Sequence, residues 1–458
     1  MTTWAPRIDE SGPVYLAITR AIEADIASGR LQPADRLPTH RDLAAALGVN
    51  VGTVSRAYAE ARRRGLIAGT VGRGTFVRAP HEPALVRPEG AQPSGGVDLG
   101  VNVPLGMPSP DLPAALAELA RRGDLDAVMA YQEPAGTLAS RRAGADWLER
   151  IGVPATPEHT VVCAGAQHAI LVALGALAGP GDLVLAERLT YPGFLGAARM
   201  LGQRVRGVET DADGLLPDAL DEACRSDRPR VLYCMPGLHN PTCAQLPAHR
   251  REAIAEIAAR HDLMIVQDEI QGGMVEDDAP SLASLAPDRV VTIASLSKLL
   301  SPGLRVAYVA APAARVARLG EAVWSSVWMS SPLGAEVANL WLADGTLERI
   351  LRLRCEEMDA RHRSAARLLD GLGARTRARA YQLWLPLPAH WESRALAEAL
   401  LREGVRVSAA EEFSADARPA PDAIRISLSA TRSRRALEQG LRTIRRVVES
   451  PPRPGTRL

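Results

Sequence analysis

Short, nearly uninterrupted apolar runs recur along the middle of the chain: Val161-Val162-Cys163, Leu183-Val184-Leu185, Val231-Leu232-Tyr233-Cys234, Met264-Ile265-Val266, Val290-Val291-Thr292-Ile293 and Val306-Ala307-Tyr308-Val309. Runs of this length, apolar on both faces, read as strands inside a sheet, and the stretches between them carry helical periodicity. Such alternation predicts an α/β body around a mostly parallel central sheet. Ligands of these sheets gather at the carboxyl ends of the strands, and polar motifs stand there. Gly165-Ala166-Gln167 follows the first run, His239-Asn240-Pro241-Thr242 the third and Asp268-Glu269 the fourth. The fifth is followed by Ser295-Leu296-Ser297-Lys298 and then Pro302-Gly303-Leu304-Arg305.

Ahead of residue 79 the period changes. Val14, Ile18, Ile22 and Ile26 fall at helical spacing and predict a helix over Val14–Ser28. Thr39 is placed to cap a second helix that runs to Leu47 and stops at Gly48; Asn50 can cap a third over Val51–Arg64, stopping at Gly65. Two β-prone runs follow, around Leu66-Ile67 and Thr75-Phe76-Val77, joined through Val71-Gly72-Arg73-Gly74. Three helices and a hairpin in this order make a winged helix-turn-helix. From Ala79 to Gly96, four prolines and three glycines in 18 residues without apolar periodicity mark a semi-extended linker. The expected organisation is a DNA-binding head at 1–78, a linker at 79–96, a body at 97–448 and a flexible tail at 449–458.

Composition narrows the chemistry. Of the 54 Lys+Arg side chains only one, Lys298, is lysine. Arginine replaces lysine in most ion pairs, but its guanidinium stays protonated and cannot attack a carbonyl. A neutral lysine amine can, forming a Schiff base with an aldehyde. Five cysteines, Cys163, Cys224, Cys234, Cys243 and Cys355, are odd in number and lack CxxC spacing. They predict reduced thiols, with no disulfide framework and no metal site. No uncharged apolar run reaches the ~18 residues of a membrane span. Met1–Arg7 lacks an apolar signal core, so a cytoplasmic location is expected. Net charge is +1, yet residues 1–80 hold eleven Arg against seven Asp and Glu. A basic head fits a nucleic-acid partner.

Throughout Pro13–Arg78 the head resembles the GntR-type winged helix. The likeness rests on Leu37-Pro38-Thr39-His40-Arg41-Asp42-Leu43-Ala44, Thr53-Val54-Ser55-Arg56-Ala57-Tyr58 and Gly72-Arg73-Gly74-Thr75-Phe76-Val77. The resemblance implies that the helix beginning at Asn50 enters the major groove of an operator. The wing tip, with Arg73, Gly74 and Thr75, would approach the minor groove. Arg41 and Arg56 would grip phosphates or guanine edges, with Asn50 and Thr53 at the reading end. Val51 stands where such domains often carry arginine, so the operator sequence does not carry over.

The body motifs resemble, one by one, the fold-type I pyridoxal-phosphate enzymes of the aspartate aminotransferase class. Joined to a GntR head, they are similar to the MocR-type regulators over essentially the whole chain. The resemblance implies a large part at about 97–320, a smaller C-terminal α+β part at about 321–448, and pyridoxal phosphate as cofactor. Lys298 would hold the cofactor as a Schiff base, Asp268 would pair with its pyridine nitrogen, and Asn240 would bond to its ring O3′. Ser295 and Arg305 would hold the phosphate at the helix start Ala166-Gln167, with Ser297 also on the cofactor. Tyr191 would stack on the ring, and Tyr131 would reach the cofactor bound by a second copy of the chain. Arg425, in Ile424-Arg425-Ile426-Ser427, would bind an α-carboxylate.

Two positions depart from the family. Gln271 stands where a tyrosine usually donates to O3′; an amide can donate but lacks the phenol's acid–base range. Cys243 replaces the glycine usual after Asn-Pro-Thr. Both departures favour cofactor binding over turnover. His168, His239 and Cys243 themselves read as locally satisfied residues. The reading is a homodimeric regulator whose body senses an amine, an amino acid or the cofactor and thereby alters operator binding. The alternative is an active aminotransferase with a regulatory DNA-binding head.

Overall fold

The structure, a computed structural model, describes Trp4, Pro6 and residues 13–27, 30–32, 35–63, 66–70, 74–77, 96–105 and 110–451. Two compact units result, one built mainly on Met1–Leu85 and one on Val86–Asp416 with Pro421–Pro451.

In the first unit, α1 (Val14–Ala27), α2 (His40–Leu47) and α3 (Val51–Arg63) pack around Ile18, Ile22, Leu43, Val54, Ala57 and Tyr58, all fully buried. The Thr39 hydroxyl accepts the Asp42 N–H at 3.2 Å and donates to Asp42 Oδ2 at 2.7 Å, which fixes the start of α2. Gly48 ends α2 at φ 65°, a left-handed conformation that glycine adopts without a Cβ penalty. Asn50 Oδ1 accepts the Gly52 N–H at 2.7 Å at the start of α3. The hairpin Ile67–Thr70 with Gly74–Val77 is present, and a third strand, Arg36–Leu37, pairs antiparallel with Gly74–Val77. Two residues are too few for alternation to register, so this strand had no sequence signal. Ser28, Arg64, Gly65 and Val71–Arg73 lie outside the described residues.

The body is built on a seven-stranded sheet. Its order is Thr160–Cys163, Ala307–Ala310, Val290–Ser295, Met264–Asp268, Val231–Cys234, Leu183–Glu187 and Arg204–Val208. All strands run parallel except Ala307–Ala310, which is antiparallel to both neighbours. Alternate residues feed two cores: Leu185, Leu232 and Ile265 face one side, Val184, Tyr233 and Val266 the other. Burial on both faces is why the apolar runs are continuous. All six runs form strands of this sheet. Arg204–Val208 escaped that pattern because two arginines interrupt it and only its end, Gly207 and Val208, is buried.

After the long helix Thr346–Leu368 comes a smaller α+β part. An antiparallel sheet of Gln382–Pro386, Ala423–Ser427 and Ser408–Ala409 is accompanied by helices Ser393–Arg402 and Arg434–Glu449. The first described residues of the body join this part rather than the large sheet. Val97–Asp98 pairs parallel with Val405–Arg406, and the Leu99 carbonyl accepts the Ser427 N–H at 2.7 Å. Trp391 Nε1 donates to the Ser450 carbonyl at 3.1 Å, so Glu449–Pro451, the described start of the expected tail, is held. The rest of that tail, and residues 79–95 of the expected linker, lie outside the described residues. Among the described residues no helix is long and apolar enough to cross a membrane.

Candidate functional site

Lys298 follows the Val290–Ser295 strand at its carboxyl end. The residue keeps some surface, but its amine is enclosed and donates to the Asn102 carbonyl. The Tyr381 hydroxyl at 2.8 Å and Arg354 Nη1 at 3.0 Å hold the Lys298 carbonyl. Burial, helped by the Arg425 and Arg305 guanidiniums, pulls the amine down to about 8, toward its neutral, nucleophilic form. Asp268 ends the Met264–Asp268 strand. Its Oδ2 accepts the Tyr233 hydroxyl at 2.5 Å and its Oδ1 the Ile270 N–H at 3.1 Å. Burial outweighs these bonds and raises its carboxyl to about 6.

Asn240 and Arg425 meet directly: Arg425 Nη1 donates to Asn240 Oδ1 at 2.9 Å, and Nη2 donates to the Gly100 carbonyl. The guanidinium lies 4.7 Å from the centroid of the Phe413 ring. It is buried, its Nε has no partner, and it forms no ion pair among the described residues. Burial lowers it only to about 10, so it stays charged at neutral pH. The Glu412 carboxylate favours its charge from beyond ion-pair distance, and the planar fork of the guanidinium suits a carboxylate.

A phosphate corner is built where the carboxyl ends of Thr160–Cys163 and Val290–Ser295 flank the start of Ala307–Ala310. Gly165, at φ 82°, leads into the helix Ala166–Leu177, whose first N–H groups have no helical acceptors. A Cβ on Gly165 would run into the guanidinium of Arg305, which donates to the Ala164 carbonyl at 3.2 Å. Ser295 Oγ donates to the Val306 carbonyl at 3.3 Å and accepts the Ser297 N–H at 3.2 Å. Ser297 Oγ is buried without a partner among the described residues. A guanidinium, open helix amides and an orphaned hydroxyl suit a phosphate group. With the enclosed amine of Lys298 and the carboxyl of Asp268, this donor set fits pyridoxal phosphate.

The remaining sequence candidates fall around this centre. Gln167 Nε2 donates to the Gly193 carbonyl at 2.8 Å. Tyr191 packs against the core that holds Phe194 and Tyr233, and burial, then Asp268, raises its phenol. Gln271 is committed elsewhere: its Nε2 donates to Gln382 Oε1 at 3.2 Å and its Oε1 accepts the Tyr381 N–H at 3.1 Å. Tyr131 is 80% exposed, its ring 5.3 Å from that of Trp328, with Met129, Trp324 and Val327 also exposed. His239 bonds to Thr242 Oγ1 at 2.6 Å and to the Leu189 carbonyl at 2.8 Å. His168 accepts the Ala164 N–H at 3.0 Å and meets Ser326 Oγ at 2.8 Å. Cys243 adopts φ 62°, the left-handed backbone its glycine counterpart would take freely.

Asn102, Gln382 and Tyr233 were missed by sequence reasoning. Asn102 Nδ2 donates to Gln382 Oε1 at 2.7 Å, linking the amide of Gln271 to the residue that holds the Lys298 amine. Nothing in either local sequence announces that pairing. Tyr233 did carry a signal, since a phenol inside a buried apolar strand needs an acceptor.

On the head, Arg41, Asn50 and Arg56 are exposed and Thr53 is half-buried. The Arg56 guanidinium lies 4.8 Å from the centroid of the Tyr15 ring. Gly74 has φ 117°, and a Cβ there would come within 2.8 Å of Arg36 Nε, so Arg36 adds an unforeseen cation beside the hairpin. Thr75 is half-buried opposite Leu37. Arg73 lies outside the described residues.

Both halves find relatives in the combination seen here. Residues 94–444 match the family Aminotransferase class I and II, and residues 14–77 match Bacterial regulatory proteins, gntR family. The chain belongs to the MocR-type transcriptional regulators of the GntR family. This MocR-type chain is 31% identical to the uncharacterized HTH-type transcriptional regulator YdeF of Bacillus subtilis, over 98% of its own length and 97% of the relative's. It is 29% identical to the HTH-type transcriptional regulator TauR of Rhodobacter capsulatus, over 95% and 97%. Its body resembles the crystal structure of LysN, an alpha-aminoadipate aminotransferase from Thermus thermophilus, with a TM-score of 0.68 and 26% identity. That match covers 78% of this chain and 92% of LysN.

Proposed function

We propose that this regulator binds pyridoxal phosphate at Lys298 and senses an amino acid through Arg425, acting as a cytoplasmic homodimer on operator DNA. The observation that carries the reading is the buried Arg425 guanidinium, which forms no ion pair among the described residues, in the same site as a lysine amine lowered to about 8. Pyridoxal phosphate, when bound, supplies an aldehyde that condenses with amines and a ring that accepts electron density. Arg305, Ser295, Ser297 and the amides beginning at Ala166 would hold its phosphate, and Asp268 its ring nitrogen. Asn240 would turn to O3′, and Tyr191 would cover the ring. Lys298 offers an amine shifted toward its neutral form, which an incoming amine can replace. Arg425 keeps its charge to pair with that molecule's carboxylate. Gln271 spends its amide on Gln382 and Tyr381 and has no phenolic proton to move. That supports a sensor more than an enzyme. The exposed Tyr131, Trp324 and Trp328 support a second copy covering this face, with Tyr131 reaching the neighbouring site.

The test uses the full chain, pyridoxal phosphate, a panel of the twenty amino acids and a DNA fragment selected by the protein. Native protein should gain visible absorbance with pyridoxal phosphate, whereas Lys298→Ala and Lys298→Arg should not. One amino acid should change the spectrum and shift DNA affinity by about 5- to 150-fold, with little keto-acid product. Arg425→Ala should lose that response and keep the cofactor. Rapid multiple turnover would overturn the sensor reading in favour of an aminotransferase. An undiminished DNA response in Arg425→Ala would make the cofactor itself the signal.

A further inference from the structure

We infer that Tyr233 is a positioning residue that, through Asp268, sets whether the ring nitrogen of the bound cofactor carries a proton. The inference rests on the proposal that Asp268 pairs with that nitrogen. Tyr233 lies in the Val231–Cys234 strand beside the Met264–Asp268 strand, in register with Val266. Its phenol is fully buried and donates to Asp268 Oδ2 at 2.5 Å. Phe194 stacks on the ring, with centroids 4.2 Å and planes 6° apart, and so holds the hydroxyl in one direction. Packing alone has no need of that hydroxyl. A phenylalanine would fill the same space without burying a polar group.

What the hydroxyl adds is a hydrogen bond to a carboxylate, which favours the charged form. Burial pushes the other way, and the charge of Asp268 is felt by Glu187, Glu269, Tyr191 and Cys234, none of which carries a positive charge to offset it. Burial holds Glu187, on the next strand, protonated to about 8, which spares Asp268 a second negative charge nearby. A ring N–H facing an ionised Asp268 keeps its proton. Facing a more basic carboxylate, it gives that proton up to Asp268. Removing the phenol makes Asp268 more basic, so the shared proton moves from nitrogen to oxygen.

The experiment loads native protein, Tyr233→Phe and Phe194→Leu with pyridoxal phosphate labelled with 15N in the ring, and records the nitrogen chemical shift by NMR together with the melting temperature. A role in filling the core would move the melting temperature and leave the nitrogen shift where it was. In Tyr233→Phe the nitrogen shift should move toward that of an unprotonated pyridine. The ratio of protonated to unprotonated nitrogen should change roughly ten- to a hundredfold, the worth of a hydrogen bond to a charged group. Phe194→Leu, which keeps the hydroxyl but frees the ring, should move it the same way by less. A loaded Tyr233→Phe with a native nitrogen shift overturns the inference. If that variant does not fold, an unchanged shift in Phe194→Leu overturns it instead. Native protein that takes up no cofactor would overturn the Lys298 reading, a different failure.

Discussion

Lys298 shows how burial turns an ordinary side chain into a reagent. Lowering its amine from 10.5 to about 8 raises the neutral fraction at pH 7 roughly 300-fold. The rate at which cofactor-free protein captures pyridoxal phosphate should therefore rise with pH through about 8 and level off above it. Stopped-flow absorbance across pH 6–10 would read this, and an inflection near 10.5 would mean an exposed amine. Lys298→Arg should capture none at any pH. The residues legible in the sequence, Asn240, Asp268 and Lys298, are those that follow successive strands in fixed order, because each sits in its own short motif. Asn102, Gln382 and Gly100 meet the site only by tertiary approach, and polar backbone contacts of that kind leave no mark on local composition.

At the scale of elements, hydrophobic pattern found the strands buried on both faces and the caps found the helices of the head. It missed Arg36–Leu37 and Arg204–Val208, where one strand is too short and the other too polar at the sheet edge for a pattern to form. The antiparallel course of Ala307–Ala310 was also beyond its reach, since strand direction depends on where the chain returns and not on which residues are apolar. The head's hairpin depends on Gly74. Its φ of 117° is one that side-chain-bearing residues rarely adopt, and a Cβ there would meet Arg36 Nε. Gly74→Ala should destabilise the hairpin by about 1–3 kcal/mol. Operator affinity should fall while the cofactor spectrum stays native; an unaltered affinity would remove the hairpin from the DNA interface.

The molecule as a whole joins a reader of DNA to a body shaped like an aminotransferase, and the two can be separated by salt. Arg41 is exposed and makes no hydrogen bond or ion pair among the described residues, so Arg41→Ala should weaken operator binding and lower the salt slope by about one. Fluorescence anisotropy at several salt concentrations measures this, and a slope unchanged from native would mean that Arg41 touches no phosphate. Arg56 has a second occupation over the Tyr15 ring, so its replacement should cost stability as well as affinity. Linkage adds a further requirement: if an amino acid changes DNA affinity by some factor, saturating DNA must change the affinity for that amino acid by the same factor. Calorimetric titration of the amino acid with and without DNA checks it.

The backbone from Val97 to Asn102 begins directly after the residues that lead from the head, and it is moored at four points. Strand pairing with Val405–Arg406 holds its start, and the Leu99 carbonyl is tied to Ser427. The Gly100 carbonyl takes Arg425 and, at 2.8 Å, Ser408 Oγ; the Asn102 carbonyl takes Lys298. Two of these ropes are made fast to the very groups that a ligand would claim. A carboxylate drawing on the guanidinium fork would take one of the two donors from the Gly100 carbonyl, and an aldehyde taking the amine would release the Asn102 carbonyl. Occupancy of the site would thus change how firmly residues 97–102 are held within the body.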